Sequence, residues 1–160
     1  MADYDRLKKQ IEGDILKSSF DRGRYATDAS IYQIMPHAVM VPKTWQDVEA
    51  ALDFAKAEGI SLLPRGGGTS QSGQTVNDAL VIDFTKHLNS ILDYDADAGT
   101  ATVQPGLVLD NLNRHLKSDG WWYPVDVSTA SRATLGGMGR TIPVDHVQSD
   151  MARCRTMCAP

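Results

Sequence analysis

The sequence predicts an α+β fold, and three observations carry that reading. Short apolar runs of strand length alternate with amphipathic stretches of helical spacing. Turn residues, mostly glycine, proline and aspartate, punctuate the boundaries. Two clusters of glycine and hydroxyl side chains each follow a strand-like run. Neither internal repeats nor low-complexity tracts interrupt the pattern. With 160 residues the chain is long enough for a core and short for a complete two-domain enzyme.

The elements follow in order. Tyr4, Leu7, Ile11 and Ile15 recur at helical spacing, which predicts an amphipathic helix over 4–17 within an N-terminal segment, 1–19. A polar stretch with Gly23 leads to AVMVP (Ala38–Pro42), a strand that its proline ends. Thr44 with Asp47 reads as a capping box at the head of TWQDVEAALDFAKAEG, with Val48, Leu52 and Ala55 as the apolar face and Gly59 as the terminator. ISLLP (Ile60–Pro64) is a second strand, so Ala38–Leu63 forms a β-α-β unit that delivers the first glycine cluster. ALVIDF (Ala79–Phe84) is a strand. ILDYDADAGTATVQPG gives two strands around the turn Asp97-Ala98-Gly99. LVLDNLNRHLKSDG is a helix with Leu109, Leu112 and Leu116 on one face, ended by Gly120. WWYPVD is expected to be a short strand, with Trp121, Trp122 and Tyr123 as packing residues rather than a stacking platform for bases.

The bulk chemistry excludes several classes. A net charge of −4 argues against a nucleic-acid or anionic-membrane surface. No apolar run reaches membrane-spanning length, and the opening MADYDRLKKQIEGD is too polar for a signal peptide. Two cysteines, Cys154 and Cys158, do not make a disulfide framework, so a reducing, cytoplasmic setting is expected. Two ligands are also too few for a zinc site, and no metal is expected.

The stretch LLPRGGGTSQSGQ (Leu62–Gln74) carries the chemistry. Backbone N–H groups in a glycine-rich turn form a concave nest for anions, above all phosphate, and Thr69 and Ser70 add hydroxyls. Arg65 either adds charge or turns back into the fold. No lysine follows the last glycine, so this is not a Walker loop, and the glycine spacing is not that of a dinucleotide fingerprint. The alternative is a flexible surface loop. A second stretch, YPVDVSTASRATLGGM (Tyr123–Met138), repeats the composition, and two such loops suit an extended ligand with two phosphates.

VPKTWQDVEAALDFAKAEGISLLPRGGGTSQSGQ, then VQPG, then PVDVSTASRATLGGM resemble the FAD-binding (PCMH-type) domain of the p-cresol methylhydroxylase and vanillyl-alcohol oxidase superfamily. The likeness is strongest to FAD-linked dehydrogenases of D-2-hydroxy acids such as D-lactate, glycolate and D-2-hydroxyglutarate, and RYATDASIY (Arg24–Tyr32) resembles their lead-in. The resemblance implies a partial FAD-binding domain over 20–138, made of the β-α-β unit and a second small α+β subdomain. It implies that Gly66, Gly67, Gly68, Thr69 and Ser70 cradle the FAD pyrophosphate, with Gln71 and Gly73 on the same loop and Arg65 among the cofactor-binding residues. Pro124, Ser128, Thr129, Thr134, Gly136 and Gly137 would face the ribityl chain and flavin, and Pro42 the adenine. The implied partner is a small 2-hydroxy acid, which gives a hydride to the flavin; the electron acceptor is not implied. No catalytic base is found: His37, His87 and His115 are expected to face solvent.

After Met138 the family continues roughly Ala-Gly-Asn-Asn-Ser-Cys-Gly and soon Arg-Tyr-Gly, whereas this chain reads GRTIPVDHVQSDMARCRTMCAP. With suitable wobble bases, the codons for Thr141–Pro160 read from their third base spell Asn-Ser-Cys-Gly-Ser-Arg-Ser-Ile-Arg-Tyr-Gly-Thr-Met-Pro-Asp-Asn-Val-Arg-Ala. Residues 139–160 are therefore expected to be an out-of-frame tail, and the chain a fragment. Two functions stay open: the cofactor part of an oxidoreductase, or a remnant that binds nucleotide weakly and catalyses nothing. A regulatory nucleotide-binding module is a third, less supported by the family order of the motifs.

Overall fold

The computed structural model describes residues 2–141 and 153–154. They fall into two compact units, Met1–Leu88 and Asn89–Pro160. The mixed helix and strand architecture agrees with the α+β expectation.

The first unit runs α1 (Tyr4–Lys8), β1 (Asp14–Leu16), α2 (Ser19–Arg24), β2 (Ala38–Val41), α3 (Trp45–Glu58), β3 (Leu62–Arg65) and β4 (Leu80–Asp83). Its sheet has the order β1-β2-β4-β3, with β2, β4 and β3 parallel and β1 antiparallel at the edge. AVMV and LVID are buried at every position, as central parallel strands covered on both faces require. The β-α-β unit is present, but β4 lies between its two strands and pairs with both, Leu80 facing Ala38 on one side and Leu62 on the other. Leu7, Met40, Ala51, Phe54 and Leu80 form the centre of the core.

Helix α3 begins as expected. The Thr44 hydroxyl accepts from the Asp47 backbone, the Asp47 carboxylate accepts from the Thr44 N–H, and Gly59 ends the helix at φ 65°. Its buried stripe is Val48, Ala51, Phe54 and Ala55 rather than one through Leu52, which is 53% exposed. The Tyr4–Phe54 ring contact, 5.7 Å between centroids, turns the helix that way.

The helix predicted over 4–17 is corrected: it stops at Lys8 and the chain returns as β1. The cause is long-range. The Asp47 carboxylate accepts from the N–H groups of Glu12 (2.9 Å) and Gly13 (3.0 Å), which a continuing helix would have tied up. Gly13 lies so close to β2 that a Cβ there would meet the Val41 carbonyl and come 2.9 Å from Pro42 Cα. The N-terminal segment is thus a strand partner of β2 and part of the first core.

The second unit holds β5 (Ile91–Asp95), β6 (Thr100–Val103), α4 (Leu109–Leu116), a 3-10 turn (Lys117–Asp119), α5 (Leu135–Thr141) and β7 (Arg153–Cys154), in an antiparallel sheet β5-β6-β7. Gly99 (φ 61°) and Gly120 (φ 75°) take left-handed conformations that a side chain disfavours. Leu109, Leu112 and Leu116 are buried together with Tyr123 and Met138. Among the described residues, the short strand expected at WWYPVD is reduced to a single bridge residue, Trp122. Its backbone is captured locally instead: Trp121 N–H donates to the Leu116 carbonyl and Tyr123 N–H to the Asn113 side chain. Tyr123 is buried, Trp121 packs beside it, and Trp122 is exposed. Of the stretch 139–160, α5 reaches Thr141 and Arg153–Cys154 pairs with β6; His146 and Cys158 lie outside the described residues.

Candidate functional site

Strand β3 ends at Arg65, opposite Asp83 of β4, and the chain leaves the sheet as Gly66. Among the described residues, nothing accepts the backbone N–H groups of Gly66, Gly67, Gly68, Thr69, Ser70 or Gln71. Six consecutive amides are thus left for a ligand or solvent, Gly67 and Gln71 at exposed positions and the other four at partly exposed ones. Their summed dipoles favour an anion with several oxygens, and a diphosphate fits that donor set.

The rest of the loop is fastened. The Ser70 hydroxyl accepts from the N–H groups of Ser72 (3.2 Å) and Gln74 (3.3 Å), so it serves the loop itself. Gly68 (φ 67°) and Gly73 (φ 71°) are left-handed and closely packed as well. A Cβ on Gly68 would lie 2.7 Å from Arg65 Nη2, and one on Gly73 would lie 2.5 Å from the Tyr32 ring.

Arg65 turns back into the fold. Its Nη1 donates to the carbonyls of Thr75 (2.8 Å) and Tyr25 (3.3 Å), its Nη2 to that of Thr27 (2.8 Å), and the guanidinium lies 5.4 Å from the centre of the Tyr25 ring. Burial pushes the Arg65 pKa down, and Asp28 and Asp83 oppose that shift; guanidinium stays charged regardless. Tyr25 donates to Asp83 (2.7 Å), and burial, then that hydrogen bond, raise its phenol well above the usual range. Asp83 also accepts from the N–H and hydroxyl of Thr85. Sequence reasoning missed Asp28, whose carboxylate accepts from the Thr75 hydroxyl (2.9 Å), the Thr75 N–H (3.3 Å) and the Ser30 N–H (2.9 Å). The available signal was its place in the lead-in RYATDASIY. Pro42 is fully buried at the end of β2.

The second stretch differs. Ser128 is exposed, Pro124 and Thr129 are half-buried, and Thr134 is buried ahead of α5. Here the backbone is largely spoken for: Arg132 and Ala133 N–H donate to the Thr129 carbonyl, Leu135 N–H to Leu107 and Gly136 N–H to Pro105. Gly136 needs to be glycine for packing, because a Cβ would lie 2.6 Å from Pro105 Cβ. Gly137 has room, its nearest neighbour being Thr134 Oγ1 at 3.7 Å.

His37, His87 and His115 are exposed, as expected. His37 stands 3.2 Å from Asp78, and the His115 ring meets the edge of Tyr94. No helix among the described residues is long and apolar enough to cross a membrane.

Comparison with known proteins gives these arrangements a context. The FAD binding domain family matches residues 36–141. The chain is 40% identical over 146 residues to D-2-hydroxyglutarate dehydrogenase of Haemophilus influenzae, covering 88% of this chain and 14% of that protein. It is 38% identical over 133 residues to glycolate oxidase subunit GlcD of Bacillus subtilis, covering 80% of this chain and 28% of the relative. The chain therefore spans a small part of the curated relatives it matches. Among solved structures, an alkyldihydroxyacetonephosphate synthase superposes with a TM-score of 0.74 at 21% identity, over 84% of this chain and 28% of the other. A carbohydrate oxidase from Microdochium nivale gives 0.69 at 19% identity, over 86% and 29%. These two likenesses concern the fold alone.

Proposed function

The chain belongs to the FAD binding domain family, and from that premise we propose that it is the FAD-binding part of a flavin-dependent oxidoreductase that oxidises a D-2-hydroxy acid. The observation that carries the reading is the run of six amides from Gly66 to Gln71 without an acceptor among the described residues. These amides hold the FAD diphosphate, and Gly73 with the Ser70 hydroxyl keeps the loop open for it. The assignment of Pro124, Ser128, Thr129, Thr134, Gly136 and Gly137 to the ribityl and flavin end rests on their sequence. FAD accepts a hydride from the substrate α-carbon in such chemistry; the chain's own residues bind and orient. The exposed histidines support placing the proton acceptor and the substrate contacts outside these residues. The names of the relatives favour D-2-hydroxyglutarate or glycolate as the acid, and the cysteine usage favours the cytoplasm.

Titrating the full chain into FAD and following flavin fluorescence tests the reading. We expect saturable binding that ADP and inorganic pyrophosphate compete away. Absence of saturation, or binding indifferent to pyrophosphate, would overturn it. Catalysis by these 160 residues alone is not expected.

A second reading concerns 139–160, and the alternative-frame continuation favours it. We propose that this tail is translated out of frame after a slip near Met138–Thr141. On that account these 160 residues hold FAD weakly, because the tail stands in place of family sequence, and little flavin copurifies with them. Resequencing the coding DNA across Met138 settles the frame. A neighbouring frame without family-like sequence ends this reading.

A further inference from the structure

We propose that residues 25–32, ahead of β2, are the fixture that sets the cofactor affinity of the glycine loop, with Asp28 and Arg65 as its positioning residues. The inference rests on the FAD reading above and extends it to residues outside the run of amides.

From within the loop, the Ser70 hydroxyl fastens the Ser72 and Gln74 N–H groups. Among the described residues, the one backbone–backbone hydrogen bond that reaches 66–74 comes from outside, Ala29 N–H to the Gly68 carbonyl at 3.1 Å. The remaining ties also lead to the lead-in or to side chains. Arg65 lies under Gly68 and joins the two ends of the loop by donating to the Thr75 carbonyl, while its other bonds go to Tyr25 and Thr27. Asp28 takes hold of Thr75 through both its N–H and its hydroxyl. The Tyr32 ring sits where a side chain on Gly73 would be. The lead-in is itself closed, by the Thr27–Gln33 pairing and by Ile34 N–H to the Ala26 carbonyl. A nine-residue loop left unfastened would have to be ordered on binding, at a cost in backbone entropy. The fixture removes much of that cost in advance.

Electrostatics makes the proposal testable by sign. A carboxylate beside an anion-binding loop repels the anion, so if Asp28 acted only through its charge, Asp28→Asn would tighten FAD binding. If it acts by position, the amide keeps one acceptor oxygen where the carboxylate had two, cannot serve Ser30 and Thr75 together, and binding weakens by about tenfold. Thr75→Val removes the hydroxyl bond with no change of charge and is expected to weaken binding by a smaller factor. Thr75→Ser keeps the hydroxyl and should restore it.

The experiment measures FAD and pyrophosphate affinity of the full chain and these three variants well below the melting temperature of each. Weaker binding in Asp28→Asn and Thr75→Val with recovery in Thr75→Ser supports the fixture. Unchanged or tighter binding in Asp28→Asn, or equal affinities of the Val and Ser variants, overturns it while leaving the FAD reading intact. Should Asp28→Asn fail to fold, the Thr75 pair decides alone. Failure of the unaltered chain to bind either ligand overturns the FAD reading and this inference together.

Discussion

The two glycine-bearing loops have similar compositions and opposite uses of their backbone. Between Gly66 and Gln71, amides stand without partners among the described residues. Between Thr129 and Met138, Arg132, Ala133, Leu135, Gly136 and Met138 all donate to nearby carbonyls. Gly68 and Gly73 adopt left-handed backbone, whereas Gly136 is needed because Pro105 lies against it. Glycine in the first loop leaves donors accessible; in the second it permits close packing. Composition alone does not separate these causes, and mutation does.

The largest effect is expected at Gly136. Alanine there would force its Cβ into Pro105, costing about 2 kcal/mol of stability in the second unit, read as a lower melting temperature. Gly68→Ala comes next: its left-handed φ disfavours a side chain by roughly 1 kcal/mol, and Arg65 Nη2 must move. Its main consequence is weaker FAD binding, by about tenfold. Ser70→Ala releases two loop amides, which should cost about 1 kcal/mol and lower FAD affinity severalfold. Gly137→Ala is expected to be neutral or stabilising by up to about 1 kcal/mol, since α5 gains a better helix former with space around it. If Gly137→Ala nevertheless weakens FAD binding, Gly137 faces the cofactor.

Acid sharpens the contrast between units. Every carboxylate held below its ordinary pKa among the described residues lies in the first unit: Asp5, Asp14, Asp21, Asp28 and Asp47. Burial pushes Asp28 and Asp47 up, and the hydrogen bonds they accept more than offset it. Their folded pKa values lie below the unfolded ones, so the stability they contribute is complete above about pH 4 and declines as pH falls through the folded values. Amide exchange resolved by residue should show the first unit loosening before the second as pH drops below 4. Simultaneous loosening would contradict that assignment.

Much of the architecture was legible because its causes are local. The Thr44–Asp47 box, Gly59, the Asp97-Ala98-Gly99 turn and the leucine stripe of α4 are short-range devices, and each formed where the residues indicated. What escaped was set across the chain. Asp47 reaches back 35 residues to Glu12 and so ends α1 early. Phe54 faces inward because Tyr4 meets it, leaving Leu52 outside. The position of β4 between β2 and β3 has no marker in either strand. At the candidate site the glycines and hydroxyls were visible in sequence. That Arg65 points backward, that Ser70 serves its own loop and that Asp28 fastens Thr75 depend on partners that only the fold supplies.

The central claim is that the amides of the first loop without an acceptor among the described residues receive the diphosphate. An amide-resolved NMR titration of the full chain with FAD, repeated with inorganic pyrophosphate, examines them one by one. The resonances of Gly66 to Gln71 are expected to shift with both ligands and to saturate together. Pyrophosphate shifts confined to other residues, with this run unmoved, would contradict the claim.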